Sequence, residues 1–285
     1  MLRHNYPFEA FGTQWSIETD KEIPVPLKKV IQDTIGLFDV TYSRFRDDSL
    51  VTEVSKKAGA YVFPANAKEL FSFYKELYEL TDGKVTPLVG DMISRAGYDA
   101  SYSFKSVEQQ PVKRWEDAID WDGTILHTKE PVTLDVGAAG KGYMVDCIAR
   151  ILDKKHIKEY VIDASGDLRH KGTAENKVGL ENPLDTAKII GVVEVQNKSL
   201  CASASNRRAW GDGMHHIFNP DTGTPTNDIL ATWVLADEAM VADGLATALF
   251  FTDPKKLRGK YDFEYARVHS NGTVEYSPYF EKGLF

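Results

Sequence analysis

The sequence predicts an α+β fold: mixed, mostly antiparallel sheets with packed helices, arranged as two closely packed lobes. Three observations carry that expectation. Short strand-like runs alternate unevenly with helical patterns, which argues against a regular doubly wound sheet. Asn271-Gly272 sits between two apolar runs as a hairpin turn. At 285 residues the chain can bury a large core. No repeat, charge block or low-complexity linker interrupts it, so residues 1–285 are expected to form a single domain without an internal boundary.

Taken in order, 8–19 reads as a strand, and 26–40 has helical spacing with Val30, Ile31, Ile35, Leu37 and Phe38 apolar. A clearer amphipathic helix spans 65–80, closed by Thr81-Asp82-Gly83. Residues 84–115 read mostly as loop, with Pro87 and Pro111 as breakers. Short strands are expected near Ile119 and over 124–127 and 132–136. A helix over 140–154 and a strand over 159–163 follow. Further strands fit 188–195, 199–202 and 232–236, then a helix over 238–251. The expected hairpin joins 265–270 to 273–276 through a two-residue turn.

Composition narrows the function. A net charge of −8 argues against nucleic acid or an anionic membrane as the main partner. The most apolar window, 240–251, is broken by Asp243 and too short to cross a bilayer. The first residues show no apolar signal core and no lipobox cysteine, so the expected location is cytoplasmic. Cys147 and Cys201 allow at most one disulfide, and two free thiols are expected.

The most informative stretch runs from Val132 through Asp135-Val136-Gly137-Ala138-Ala139-Gly140-Lys141-Gly142 to Asp146. An apolar run meets an acidic residue, a loop of small residues, then a lysine at the mouth of a helix. Small residues let a ligand approach the backbone, and a helix N-terminus favours an anion, most often phosphate. The nucleoside triphosphate loop is excluded: its first glycine is Asp135 here, and Gly142 stands where Ser or Thr must follow the lysine.

Asp243 and Thr247 lie four apart on a helix whose neighbours are almost all small or apolar. A buried carboxylate needs a partner or a cation. Carboxylate plus hydroxyl suits Mg²⁺, which takes phosphate oxygens from its substrate; an arginine salt bridge is the structural alternative. His216 stands beside the turn Asn219-Pro220-Asp221-Thr222-Gly223, where it could be a general base or a structural histidine. The pair His215-His216 lacks acidic or cysteine partners at zinc-ligand spacing. Asp163-Ala164-Ser165-Gly166-Asp167 leaves a strand end, as a ligand loop or an ordinary turn. In the stretch 42–49, Ser49 or Asp48 could cap the next helix.

In this order, these segments resemble the FAD:protein FMN transferase (ApbE) family across nearly the whole chain. The likeness runs from Phe11-Gly12-Thr13 through 43–49, 83–90, 135–146, 165–167, 203–208 and 216–223 to Asp243–Thr247. It implies an ApbE-like, T-fold-like architecture and a Mg²⁺-dependent enzyme. Such enzymes cleave the FAD pyrophosphate, attach FMN by a phosphoester bond to a threonine of a target flavoprotein, and release AMP. Some members mainly hydrolyse FAD to FMN and AMP. Metal ligation by Asp243, Thr247 and the Ala138 carbonyl is implied. So are FAD contacts by Phe11, Phe45, Lys84, Val85, Thr86, Asp135, Lys141, Gly166, Asp167 and His216, with His216 activating the attacking hydroxyl. This chain departs from the family pattern at Thr86 (for aspartate), Phe11 (for methionine), Asn219 (for aspartate) and Ala204 (for glycine). An FAD pyrophosphatase and a non-catalytic flavin-binding protein are the alternative readings.

Overall fold

The computed structural model describes residues 2, 4–211 and 213–285. Its largest element is an eight-stranded sheet whose strands lie side by side in the order in which the chain makes them. These are β1 (His4–Ala10), β2 (Thr13–Thr19), β3 (Tyr160–Asp163), β4 (Asp167–Lys171), β5 (Ser199–Ala204), β6 (Ile229–Ala236), β7 (Glu264–His269) and β8 (Val274–Tyr276). Every neighbouring pair is antiparallel. A long excursion between β2 and β3 carries three long helices, α1 (Val25–Tyr42), α2 (Ala67–Leu80) and α3 (Gly140–Lys154), among shorter ones. It also holds a small sheet of Gly59–Val62, Ile119–Trp121 and Ile125–Thr128. Helix α4 (Ala239–Ala248) follows β6.

Both faces of the large sheet are covered, and residue alternation explains how. Ile17, Ile162, Cys201, Val234 and Ala236 face the helices, in one core with Ile31, Leu70, Val145 and Leu245. Their chain neighbours Leu200, Trp233 and Leu235, with Ala266 of β7, face the other way, beneath a hairpin of Lys177–Glu181 and Ile189–Glu194 and against Phe280. A strand covered on both sides reads as a continuous apolar run, as β6 does. Helix α4 is buried nearly all round, as its composition predicted.

Four local expectations are corrected. The run 8–19 is a hairpin, turning at Phe11 (φ 51°) and Gly12 (φ 70°), with Ala10 opposite Thr13. Two-residue hairpin turns of this kind need positive φ at both positions, and phenylalanine does not signal that. The run 132–136 keeps the alternation of a strand, burying Val132, Leu134 and Val136, yet has no strand partner. Its Asp135 N–H donates instead to the Pro87 carbonyl at 2.7 Å, and a side chain at Gly90 would collide with the Thr133 carbonyl. The stretch 84–115 contains a 3-10 turn, Pro87–Val89, and a helix, Gly90–Arg95. Ser270-Asn271-Gly272 forms a three-residue loop, with Gly272 at φ 84° and the His269 N–H donating to the Thr273 carbonyl. Ser49 does cap the helix Leu50–Lys56, accepting from the Thr52 N–H at 3.2 Å. Cys147 and Cys201 are free thiols.

Candidate functional site

Helices α3 and α4 cross so closely that any side chain at Gly142 would run into the Ala239 carbonyl and Asp243. This is why a glycine follows Lys141. The Gly142 N–H, one of the unpaired donors at the start of α3, donates to Asp243 Oδ2 at 2.9 Å. The anion at that helix end is therefore a carboxylate of the protein. Asp146 does the same in the opposite direction, accepting from the N–H groups of Ala239 (3.0 Å) and Met240 (2.8 Å) at the start of α4. An ion pair with Arg169 completes its environment.

Two cavities open beside this crossing, of about 480 and about 490 Å³. The first is lined by Lys84, Val85, Thr86, Ala138, Gly166, His216, Asp243 and Thr247. The second is lined by Phe11, Phe38, Tyr42, Phe45 and Tyr102. Arg44, Tyr98, Asp135, Gly137, Lys141 and Arg208 line both, so the small-residue loop forms part of a shared wall. Each volume is in the range of a small-ligand pocket. The predicted contacts thus converge, though Phe11 and Phe45 belong to the second cavity. Asp167 lies on neither lining; it is fully buried and ion-paired to Lys141.

Several predicted site residues also have structural partners. Asp135 takes the Arg44 Nε at 2.6 Å and the Gly137 N–H at 2.7 Å. Burial pushes its carboxyl upward, but the Arg44 guanidinium outweighs burial and holds it below the usual range. Thr86 caps the 3-10 turn by accepting from the Leu88 N–H at 3.2 Å. Lys84 is ion-paired to Asp221. Arg44, Asp146 and Arg208 carry much of this electrostatic environment. Only the ion-pair alternative weighed for Asp243 hinted at such arginines, and it named none.

Burial, with the nearby Asp167 charge, pushes the Asp243 carboxyl well above the normal carboxylate range. Thr247 Oγ1 lies 3.4 Å from Ser203 Oγ, one turn along the same helix from Asp243. Burial alone would lower the Lys141 ammonium, yet Asp167 and Asp243 outweigh it and raise it. Among the described residues, no group of three or more His, Cys, Asp or Glu side chains could hold a metal. The available set is carboxylate, hydroxyl and backbone carbonyl.

The adjacent histidines separate cleanly. His215 uses both ring nitrogens: Nε2 donates to the Thr226 carbonyl at 2.9 Å, and Nδ1 accepts from the Ile217 N–H at 3.2 Å. His216 Nδ1 donates to the Arg207 carbonyl at 3.1 Å, which leaves the Nε2 lone pair free on a ring that lines the first cavity. Burial, then the positive charge of Arg208, lowers its pKa to about 3, so the ring is neutral at neutral pH.

The ApbE family model matches residues 11–263. The FAD:protein FMN transferase of Escherichia coli (strain K12) is 22% identical over 282 residues, spanning 88% of this chain and 78% of that protein. The enzyme of the same name from Vibrio cholerae is 26% identical over 263 residues, spanning 84% and 78%. The solved flavin transferase ApbE from Vibrio cholerae superposes with a TM-score of 0.82 at 19% identity, over 99% of each chain. The ApbE protein of Thermotoga maritima gives 0.85 at 21% identity, again over 99% of each. With its family match covering most of its length and its fold shared end to end, this chain belongs to the ApbE family.

Proposed function

We propose that the chain is a Mg²⁺-dependent FAD:protein FMN transferase: it cleaves the FAD pyrophosphate, attaches FMN by a phosphoester bond to a threonine of a target flavoprotein, and releases AMP. The observation that carries this reading is that Asp243 and Thr247 line the same cavity as a neutral histidine whose Nε2 is free. The names of the relatives point the same way.

The residues fit a divalent cation. Asp167 Oδ1 is buried without a hydrogen-bond partner, and the Asp243 carboxyl is driven towards its neutral form. Two buried carboxylates thus share one lysine, Lys141, and a bound cation would let both ionise. Asp243, Thr247 and the Ala138 carbonyl would hold it as hard oxygen ligands, with water and phosphate oxygens completing the shell. Bound Mg²⁺ supplies charge neutralisation at the pyrophosphate.

The protein's own groups do the rest. The two cavities accept the two halves of the dinucleotide, with the phosphates at the shared wall. His216 Nε2 accepts the proton of the attacking hydroxyl, a contribution of roughly 10²–10⁴ in rate. The Arg207 carbonyl holds the ring in the tautomer this requires.

The test is incubation with FAD, Mg²⁺ and a flavoprotein domain bearing an acceptor threonine, following AMP and protein-bound flavin. AMP with covalent flavin is expected. AMP with free FMN would make the protein a hydrolase, and bound FAD without AMP a flavin-binding module.

A further inference from the structure

The wall between the two cavities carries three cations, Arg44, Lys141 and Arg208. Two are committed. Arg44 is paired with Asp135 and donates through Nη1 to Ser94 Oγ (3.2 Å) and the Tyr98 carbonyl (2.8 Å). Lys141 is paired with the buried Asp167. Arg208 is different. Its chain neighbour Arg207 pairs with Glu181 at 2.7 Å, whereas the Arg208 guanidinium has no acceptor or carboxylate partner among the described residues. Its Cζ lies 6.0 Å from the centroid of the Tyr98 ring.

The backbone there is also unusual. Arg208 has φ 46°, in the left-handed region that a residue with a side chain seldom occupies. Immediately before it, the Arg207 carbonyl accepts from His216 Nδ1. One turn therefore sets the orienting group for the histidine and an exposed guanidinium on adjacent residues. The charge of Arg208 is felt at Asp135, Asp243 and His216, as their shifts record. A second unused donor lies on the same wall: Arg44 Nη2 is buried without a partner.

We propose that Arg208 is a catalytic residue that binds the pyrophosphate at the junction of the two cavities and takes up the charge developing on the departing AMP phosphate. This rests on the transferase reading above. In that reaction the acceptor hydroxyl oxygen bonds to the riboflavin-side phosphorus, and its proton passes to His216. The bond from that phosphorus to the bridging oxygen breaks, and the electron pair leaves on AMP. A planar guanidinium can bind two phosphate oxygens at once and is always charged, which suits this position.

The test compares wild type with Arg208→Ala and Arg208→Lys. It measures ADP and riboflavin binding by calorimetry with Mg²⁺ present, and AMP release from FAD in a single turnover with the acceptor flavoprotein domain present. Arg208→Ala is expected to weaken ADP about tenfold, leave riboflavin within twofold, and slow AMP release by roughly 10²–10³, the range for removing one charge-stabilising donor. Arg208→Lys should restore ADP binding but not the rate, and added guanidinium should partly rescue the alanine variant. AMP release within threefold of wild type, or equal losses of ADP and riboflavin, would overturn the assignment. Wild-type protein that binds neither FAD nor ADP would instead remove the transferase reading, and the assignment with it.

Discussion

Asp146 and Asp243 cap each other's helices. Asp146, from α3, takes the first two N–H groups of α4, while Asp243, from α4, takes the third N–H of α3. Each helix N-terminus thus meets a carboxylate from the other, where the helix dipole favours negative charge. One carboxylate is neutralised by Arg169 and serves the fold. The other faces the first cavity.

The fold side of this arrangement predicts a stability loss. Asp146→Ala would leave two helix N–H groups and the Arg169 guanidinium unpaired. Losing one member of a buried ion pair costs about 3–5 kcal/mol. Thermal melting should show a fall of that order, and a change below about 1 kcal/mol would refute the capping role.

Gly142→Ala places a methyl group against the Ala239 carbonyl and the Asp243 Cβ. Overpacking of this kind costs roughly 1–3 kcal/mol and would push α4 away from the loop. A lower melting temperature together with a weaker requirement-saturating Mg²⁺ affinity is expected. An unaltered Mg²⁺ titration would show that the crossing does not set the site.

His216→Gln should slow transfer by roughly 10²–10⁴ while FAD binding changes little. The pH profile carries a separate signature. Burial and Arg208 lower the His216 pKa from 6.5 to about 3, so its basic form is present at neutral pH and is lost only as pH falls towards 3. The rate should show no acid limb near pH 6.5. A limb there that disappears in His216→Gln would contradict the neutral base.

The raised Asp243 pKa predicts proton release on metal binding. Burial and Asp167 favour the protonated carboxyl, whereas a cation binds the carboxylate. Mg²⁺ affinity should therefore rise with pH, and calorimetry in buffers of different ionisation enthalpy should detect released protons. Binding that releases no proton and does not strengthen with pH anywhere in the range where the protein is folded would count against Asp243 as a ligand.

Much of the candidate site was legible because its residues are local in sequence. Asp243 and Thr247 are one helical turn apart, and the small residues before Lys141 mark a close backbone approach. Even the glycine that broke the triphosphate-loop pattern had a physical cause, the contact between α3 and α4. What could not be read was set by tertiary partners. Nothing near Asp135 signals Arg44, 91 positions earlier in the chain. The strand expected over 132–136 had the right alternation, but pairing depends on what lies beside it. Phe11 carries no turn signal, yet the β1–β2 register forces it to positive φ. Arg208 shows its importance only once both cavities exist around it.

The most direct test of the central claim is AMP release from FAD, with the acceptor flavoprotein domain present, as a function of Mg²⁺ in wild type and Asp243→Asn. The asparagine amide oxygen can still accept from the Gly142 N–H, so the helix cap and fold should persist while the charged metal ligand is lost. The account predicts saturable, Mg²⁺-dependent AMP release in wild type and at least a hundredfold loss in Asp243→Asn, with an unchanged circular dichroism spectrum. Mg²⁺-dependent release by that variant at the wild-type rate would contradict it.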